Sequence, residues 1–266
     1  MPRSIRGRLL TYFIIPSGLA VYCTHLGLSH LEKKYPNQPL TTGSKALQTP
    51  SKPNIQYCPY TDIYAARIPL RSLIARRRNQ NDPAPSKTDL EDAWARTVFG
   101  SRIMKTESSI VGLITNGKYQ PGDTGDTPER FAPNKMTGQP RELVNGLMSV
   151  QREIGADDDS NGLLLSWKMA NEPRVFFERI ARWGYPWRLM SGGRHEMSVS
   201  EPYRVDSESE LFLDVRFSAA HDYEVVPEEG DLEIQKILPE WTNRLHWGYA
   251  RLILDLAVRE LQVDLK

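Results

Sequence analysis

The chain has 266 residues, of which 39% are hydrophobic and 25% charged, a balance that fits a globular protein and excludes a disordered or fibrous one. Lysine and arginine number 34 against 33 aspartate and glutamate, so the formal net charge is only +1. Proteins that bind nucleic acid usually carry a basic face, and this charge balance therefore gives no case for nucleic acid as a partner.

Residues 1–31 have the pattern of a membrane-targeting segment. They contain no acidic residue, carry Arg3, Arg6 and Arg8, and continue over residues 9–28 with few polar interruptions. About 20 apolar residues can span a bilayer as a helix with the basic end in the cytosol. We interpret the segment as a single-pass anchor in the endoplasmic reticulum or mitochondrial membrane, with a mitochondrial presequence, a cleaved secretory signal and a buried helix as the alternatives.

The rest of the chain divides into a linker and one domain. Residues 32–56 contain four prolines and little apolar periodicity, which predicts a Pro-rich tether. Every amphipathic element that the pattern identifies lies in residues 57–266, so we predict that this part folds by itself as an α+β ligand-binding domain.

The first predicted elements of this domain are two strands and two helices. Residues 60–70 are rich in β-branched and aromatic types and have a proline near their end, which indicates an edge strand. Thr88 and Glu91 have the spacing of a capping box and predict the start of a helix. After a strand at 163–169, Asn171 is predicted to cap a second helix that ends at Gly184.

The next predicted elements carry histidines. A glycine-bearing turn at residues 191–193 is expected to join two extended runs, and in the second run His195, Met197 and Val199 share one face while Arg194 lies on the other. In the following run, residues 211–223, apolar side chains alternate with polar ones, and His221 has the parity of Leu213 and Phe217. Both histidines are therefore predicted to point inward.

The last predicted element is a long amphipathic helix after Pro239. Its apolar stripe is predicted to cover the sheet and includes Trp241, Leu245, Tyr249 and Leu252.

This order of elements resembles the helix-grip arrangement of the START-like superfamily, which includes polyketide cyclases and lipid-transfer domains. The resemblance rests on residues 60–64 with the Trp94 helix, 194–199, 214–217 and 243–249. It implies an antiparallel sheet wrapped around the carboxy-terminal helix with an apolar cavity between them. The chain also resembles small membrane-anchored proteins of filamentous fungi that accompany natural-product biosynthesis.

Several kinds of chemistry have no motif in the sequence. The Gly-x-Ser-x-Gly motif is absent, and no Gly-rich phosphate loop is followed by Lys and Ser or Thr. Cys23 and Cys58 fit neither a disulfide framework nor a zinc site. We therefore expect no metal, no nucleotide and no other cofactor.

The candidate catalytic residues are His195, His221 and Arg194. A histidine on a cavity wall can transfer a proton near neutral pH, and an arginine can polarise a carbonyl oxygen. The alternatives are hydrogen-bonded core or rim histidines and an arginine that is paired on the outer face. The candidate ligand-binding residues are Met197, Val199, Phe217, Trp241, Leu245 and Tyr249.

Two classes of function remain open. The first is a membrane-anchored protein of fungal secondary-metabolite biosynthesis that binds a hydrophobic, polyketide-type intermediate and assists its cyclisation or proton transfer, with cyclase-like or isomerase-like activity. The second is a noncatalytic protein that binds or transfers a lipid or another hydrophobic ligand at an organelle membrane. The expected partners are a hydrophobic small molecule, a membrane and other biosynthetic proteins.

Overall fold

The computed structural model describes residues 15–79, 85–115, 125, 127, 129–156, 161–205 and 209–263. These residues form an α+β fold with an eight-stranded antiparallel sheet and a carboxy-terminal helix. The strands are β1 (Gln56–Tyr57), β2 (Thr61–Pro69), β3 (Glu142–Leu143), β4 (Met148–Arg152), β5 (Leu163–Lys168), β6 (Gly192–Val199), β7 (Tyr203–Arg204) and β8 (Leu211–Glu224). The helices are α1 (Ile15–Lys34), α2 (Lys45–Gln48), α3 (Leu70–Ile74), α4 (Lys87–Gly100), α5 (Arg102–Thr115), α6 (Asn171–Arg182) and α7 (Glu240–Val263).

The long strand β8 organises the sheet. One edge of β8 pairs with β1 and β2, and the other edge pairs with β6 and β7. From β6 the sheet continues through β5 and β4 to β3. The alternation that predicted this strand is confirmed, because Leu213, Val215 and Phe217 are buried on one face while the polar side chains between them lie on the other.

One face of the sheet packs against α4 and α7 to form the main core. Trp94 of α4 is fully buried and donates its indole N–H to the carbonyl oxygen of Arg216 at 2.8 Å. Ile253, Leu254 and Ala257 of α7 belong to the same buried cluster. The predicted carboxy-terminal helix is therefore confirmed, and it covers the sheet.

The opposite face of the sheet is covered by residues that we predicted to be a tether. Leu47 of α2 is fully buried against Ile63, Leu164 and Ala220. The backbone N–H and hydroxyl of Ser44 both donate to the buried Glu196 carboxylate. Residues 35–55 are thus part of the folded domain, because the second face of the sheet carries apolar and charged groups that need a cover.

Helix α1 lies alongside α7 and runs in the same direction. Its Glu32 accepts from the Arg244 guanidinium at 2.7 Å, and one turn of chain later Lys34 and Tyr35 both donate to Asp255, at 2.6 and 2.9 Å. Within the described residues, no helix combines the length and the hydropathy that crossing a bilayer requires. Residues 1–14 of the predicted anchor lie outside the described residues.

Candidate functional site

A cavity of about 280 Å³ lies between the sheet and helices α4, α5 and α7. Its walls are mostly apolar, and five of the seven methionines of the chain take part in them. Aromatic walls come from Phe99, Trp167 and Phe217. The few polar side chains that line it are Glu107, His195, His246 and Tyr249. The methionines are Met104, Met148, Met169, Met190 and Met197.

His195 reaches the cavity from the middle of β6. In the register of the sheet it lies between Leu165 of β5 and Ala219 of β8. Its ring is nearly parallel to those of Phe217 and Trp167, with centroids 5.3 and 6.4 Å away. Its Nδ1 has no hydrogen-bond partner among the described residues, and burial lowers the pKa of the imidazole to about 4. His195 is therefore a neutral side chain with a free nitrogen.

Two glycines make room for this arrangement. We predicted a tight turn at residues 191–193, but Gly192 and Gly193 instead form the first two positions of β6. A Cβ atom on Gly193 would lie 2.9 Å from the ring of Trp167 and would collide with the carbonyl oxygen of Ala220. The absence of a side chain therefore lets Trp167 lie against the strand beside His195.

His221 and His246 form a buried pair. Their Nε2 atoms are 2.7 Å apart, so one ring donates and the other accepts. His246 of α7 lines the cavity, while the fully buried His221 of β8 lies behind it. Burial lowers the pKa of both imidazoles, which keeps the pair neutral. The structure thus places the predicted His195 and His221 on the same face of the sheet and adds a third histidine, His246, that the sequence analysis missed.

A second polar group faces the cavity from the helices. Tyr249 of α7 donates its phenolic O–H to the Glu107 carboxylate of α5 at 2.7 Å. Burial raises the pKa of the Glu107 carboxyl and that of the Tyr249 phenol above their ordinary values. The cavity therefore has imidazoles and a carboxyl–phenol pair set in apolar walls.

Arg194, the third predicted catalytic residue, lies on the other face of β6. Its guanidinium is fully buried and forms two hydrogen bonds with the Asp222 carboxylate, at 2.6 and 2.8 Å. A third bond joins its Nε to the carbonyl oxygen of Leu47 at 2.7 Å. Arg194 therefore binds α2, which covers this face of the sheet, and does not line the cavity.

The predicted ligand-binding residues divide into three groups. Met197, Phe217 and Tyr249 line the cavity, and Val199 is buried in the core outside the lining. Trp241 and Leu245 of α7 are exposed at the surface. The cavity instead receives residues at spacings of three and four from one neighbouring stripe of α7, which are His246, Tyr249, Ala250 and Ile253.

The described part of the chain contains no cluster of three or more His, Cys, Asp or Glu side chains arranged to hold a metal ion. Searches of protein-family models, curated proteins and solved structures find no match to this chain.

Proposed function

We propose that this protein binds a small hydrophobic intermediate with an enolisable carbonyl, of the polyketide type, and promotes its isomerisation or cyclisation by proton transfer. One observation carries the proposal: neutral imidazoles, one of them with an unpartnered nitrogen, lie in the wall of a cavity that is lined mostly by apolar side chains. A neutral histidine in such surroundings accepts a proton from carbon and returns it to the same molecule.

In the proposed step, the imidazole of His195 takes a proton from the carbon next to a carbonyl group, and the electron pair of the broken C–H bond forms an enolate. Isomerisation is completed when the proton returns to another carbon, and cyclisation when the enolate carbon bonds to a second carbonyl, whose oxygen receives the proton. In its protonated form Glu107 donates a hydrogen bond to a carbonyl oxygen, and His221 fixes the ring of His246. The apolar walls hold the reacting atoms together and exclude water.

The proposed fold type is the helix grip, in which the sheet wraps around the last helix. In support of it, β2 and the last strand, β8, are neighbours, and α7 packs against both. The acid-free basic segment at residues 1–31 supports attachment to the endoplasmic reticulum or mitochondrial membrane, with other biosynthetic proteins of a fungal pathway as further partners.

A noncatalytic carrier of lipids or other hydrophobic ligands is the second candidate function. The methionine side chains favour it, because unbranched, polarisable thioethers adapt to ligands of different shape. The two candidates differ in a single property, which is whether a bound carbonyl compound exchanges its α-protons.

The test uses the full-length protein, a synthetic triketide as the probe, and deuterated water. Proton NMR measures exchange at the α-carbon, and quenching of tryptophan fluorescence measures binding. We expect His195→Gln to lose most of the protein-dependent exchange while it retains binding. The matched control is His30→Gln, which replaces an exposed histidine of α1.

Binding without protein-dependent exchange, in the wild type as well as in His195→Gln, would establish the carrier function instead. Absence of triketide binding to the wild type would reject both candidates for this class of ligand.

A further inference from the structure

A continuous series of aromatic rings lies on the surface between α6 and the start of α7. Neighbouring ring centroids are 5.3 to 6.3 Å apart. Trp183, at the end of α6, adds a further indole to this region. We call this surface the aromatic end, and the residues of the series are Phe176, Phe177, Tyr185, Trp187 and Trp241.

Much of the aromatic end is exposed to solvent and is not covered by other described parts of this chain. Trp183 is 79% exposed, Trp241 61% and Phe176 56%. Helix α6 is strongly amphipathic, yet Ala181 is its only buried residue. Single exposed apolar side chains are common, but a contiguous group of this kind marks a contact surface.

Helix α1 brings a second apolar surface to the same end of the molecule. Arg244, in the second turn of α7, contacts His25, Ser29 and Glu32 of α1, and the two helices run in the same direction. The first turns of α1 therefore extend beyond the start of α7. One turn before His25, close to the level at which α7 begins, α1 exposes Val21, which is 71% accessible.

The charged residues near this surface and the amino-terminal segment indicate what kind of partner covers it. Residues 1–14, which precede α1, carry three arginines and no acidic residue. Exposed Arg179 and Arg182 accompany the aromatic side chains on α6. Exposed acidic side chains also occur at this end, on Glu172 of α6, on Glu240 next to Trp241 and on the neighbouring turns at residues 227–234, so the excess of positive charge comes from the sequence of residues 1–14.

We propose that the aromatic end is seated in the headgroup region of a phospholipid bilayer. Tryptophan and tyrosine favour this region because an apolar ring and a polar N–H or O–H can be solvated there together, and arginines bind anionic headgroups. The surface adjoins the cavity, since the lining residues Met169 and Met190 flank α6 and Trp187 in the chain. The bilayer contact itself goes beyond the proposed function and does not rest on proton transfer.

The test measures hydrogen exchange by mass spectrometry on the full-length protein, with and without phosphatidylcholine–phosphatidylserine vesicles. We expect vesicles to slow amide exchange in residues 171–187 and at the start of α7. The triple variant Phe176→Ser, Trp183→Ser, Trp241→Ser is expected to lose this protection. The matched control, Ile110→Ser with Leu113→Ser, removes exposed apolar side chains of α5 and is expected to keep it.

Protection confined to residues 1–34 would overturn the proposal, because the leader would then bind the vesicles without the aromatic end. Equal protection in the triple variant and the wild type would also overturn it. So would protection of residues 171–187 by raised protein concentration without vesicles, which would identify a second copy of the chain as the partner. Triketide binding and exchange, measured in the absence of vesicles, test the proposed function separately.

Discussion

At the scale of single residues, the three neutral histidines make the folded state sensitive to acid. Burial lowers the pKa of His195 to about 4, below the value of about 6.5 of an unfolded histidine. The unfolded chain therefore binds a proton first as the pH falls. The contribution of His195 to stability is complete above pH 6.5 and is lost as the pH falls from there to about 4.

We predict that His195→Gln reduces this acid sensitivity. Between pH 7.5 and 5 the wild type is expected to lose roughly 2 kcal/mol of unfolding free energy through His195 alone, and the variant is not. Urea unfolding at the two pH values measures the difference. His30→Gln is the control and should follow the wild type. A parallel loss of stability in His195→Gln and the wild type would mean that the His195 imidazole is not held neutral.

The ion pair between Arg194 and Asp222 supports a second prediction. Arg194→Met leaves the Asp222 carboxylate buried without its partner and is expected to cost about 3–5 kcal/mol of unfolding free energy. The double variant Arg194→Met, Asp222→Leu removes both charges and is expected to recover much of this loss. Urea unfolding measures both variants. A catalytic role for Arg194 would instead appear as lost α-proton exchange at unchanged stability.

At the scale of elements, the contact between α1 and α7 depends on a glycine. A Cβ atom on Gly248 would collide with the side chain of Leu28, whereas a Cβ atom on Gly27 would meet nothing within 4 Å. We predict that Gly248→Leu separates α1 from α7 and that Gly27→Leu does not. Limited proteolysis within residues 20–34 measures the separation. Equal resistance of the two variants would show that the helices do not pack at this glycine.

The elements also show how far the sequence predicts the site. Period-two alternation in β6 and β8 correctly places His195, Met197 and Phe217 on the inner face, because strand parity is a local property. In α7 the strongest apolar stripe includes Trp241 and Leu245, and both lie at the surface. The helix faces the cavity with a neighbouring stripe because packing against α1 and the sheet, and not hydrophobicity alone, sets its rotation.

Other features depend on contacts between distant parts of the chain. Residues 35–55 look like a linker because their buried side chains, Tyr35 and Leu47, are isolated among polar residues and prolines. Gly192 and Gly193 look like a turn because Trp167, whose carbonyl oxygen lies against Gly192 and whose ring lies against Gly193, is more than 20 residues away. The hydrophobic pattern of a short sequence segment contains no information about contacts with distant residues.

At the scale of the whole molecule, the cover of the sheet by residues 35–55 argues against independent folding of residues 57–266. Without residues 35–55, Leu164 and Ile63 lose their apolar cover and Glu196 loses the hydrogen bonds from Ser44. We therefore predict that residues 57–266 show no cooperative thermal unfolding and that residues 32–266 do. Circular dichroism during heating compares the two fragments. A cooperative transition of residues 57–266 would restore the original boundary.

The pairing of β8 with β2 also governs how the chain folds during its synthesis. Thr61 pairs with Ala220, so β2 leaves the ribosome about 160 residues before its neighbour exists. At translation rates of about 5–20 residues per second, the apolar face of β2 waits for roughly 8–30 s. The sheet cannot close until β8 has emerged, and the core cannot close until α7 has followed it. We therefore expect aggregation of nascent chains to limit production of this protein at high concentration, and abundant chaperones to increase the yield by protecting β2 until β8 and α7 have emerged.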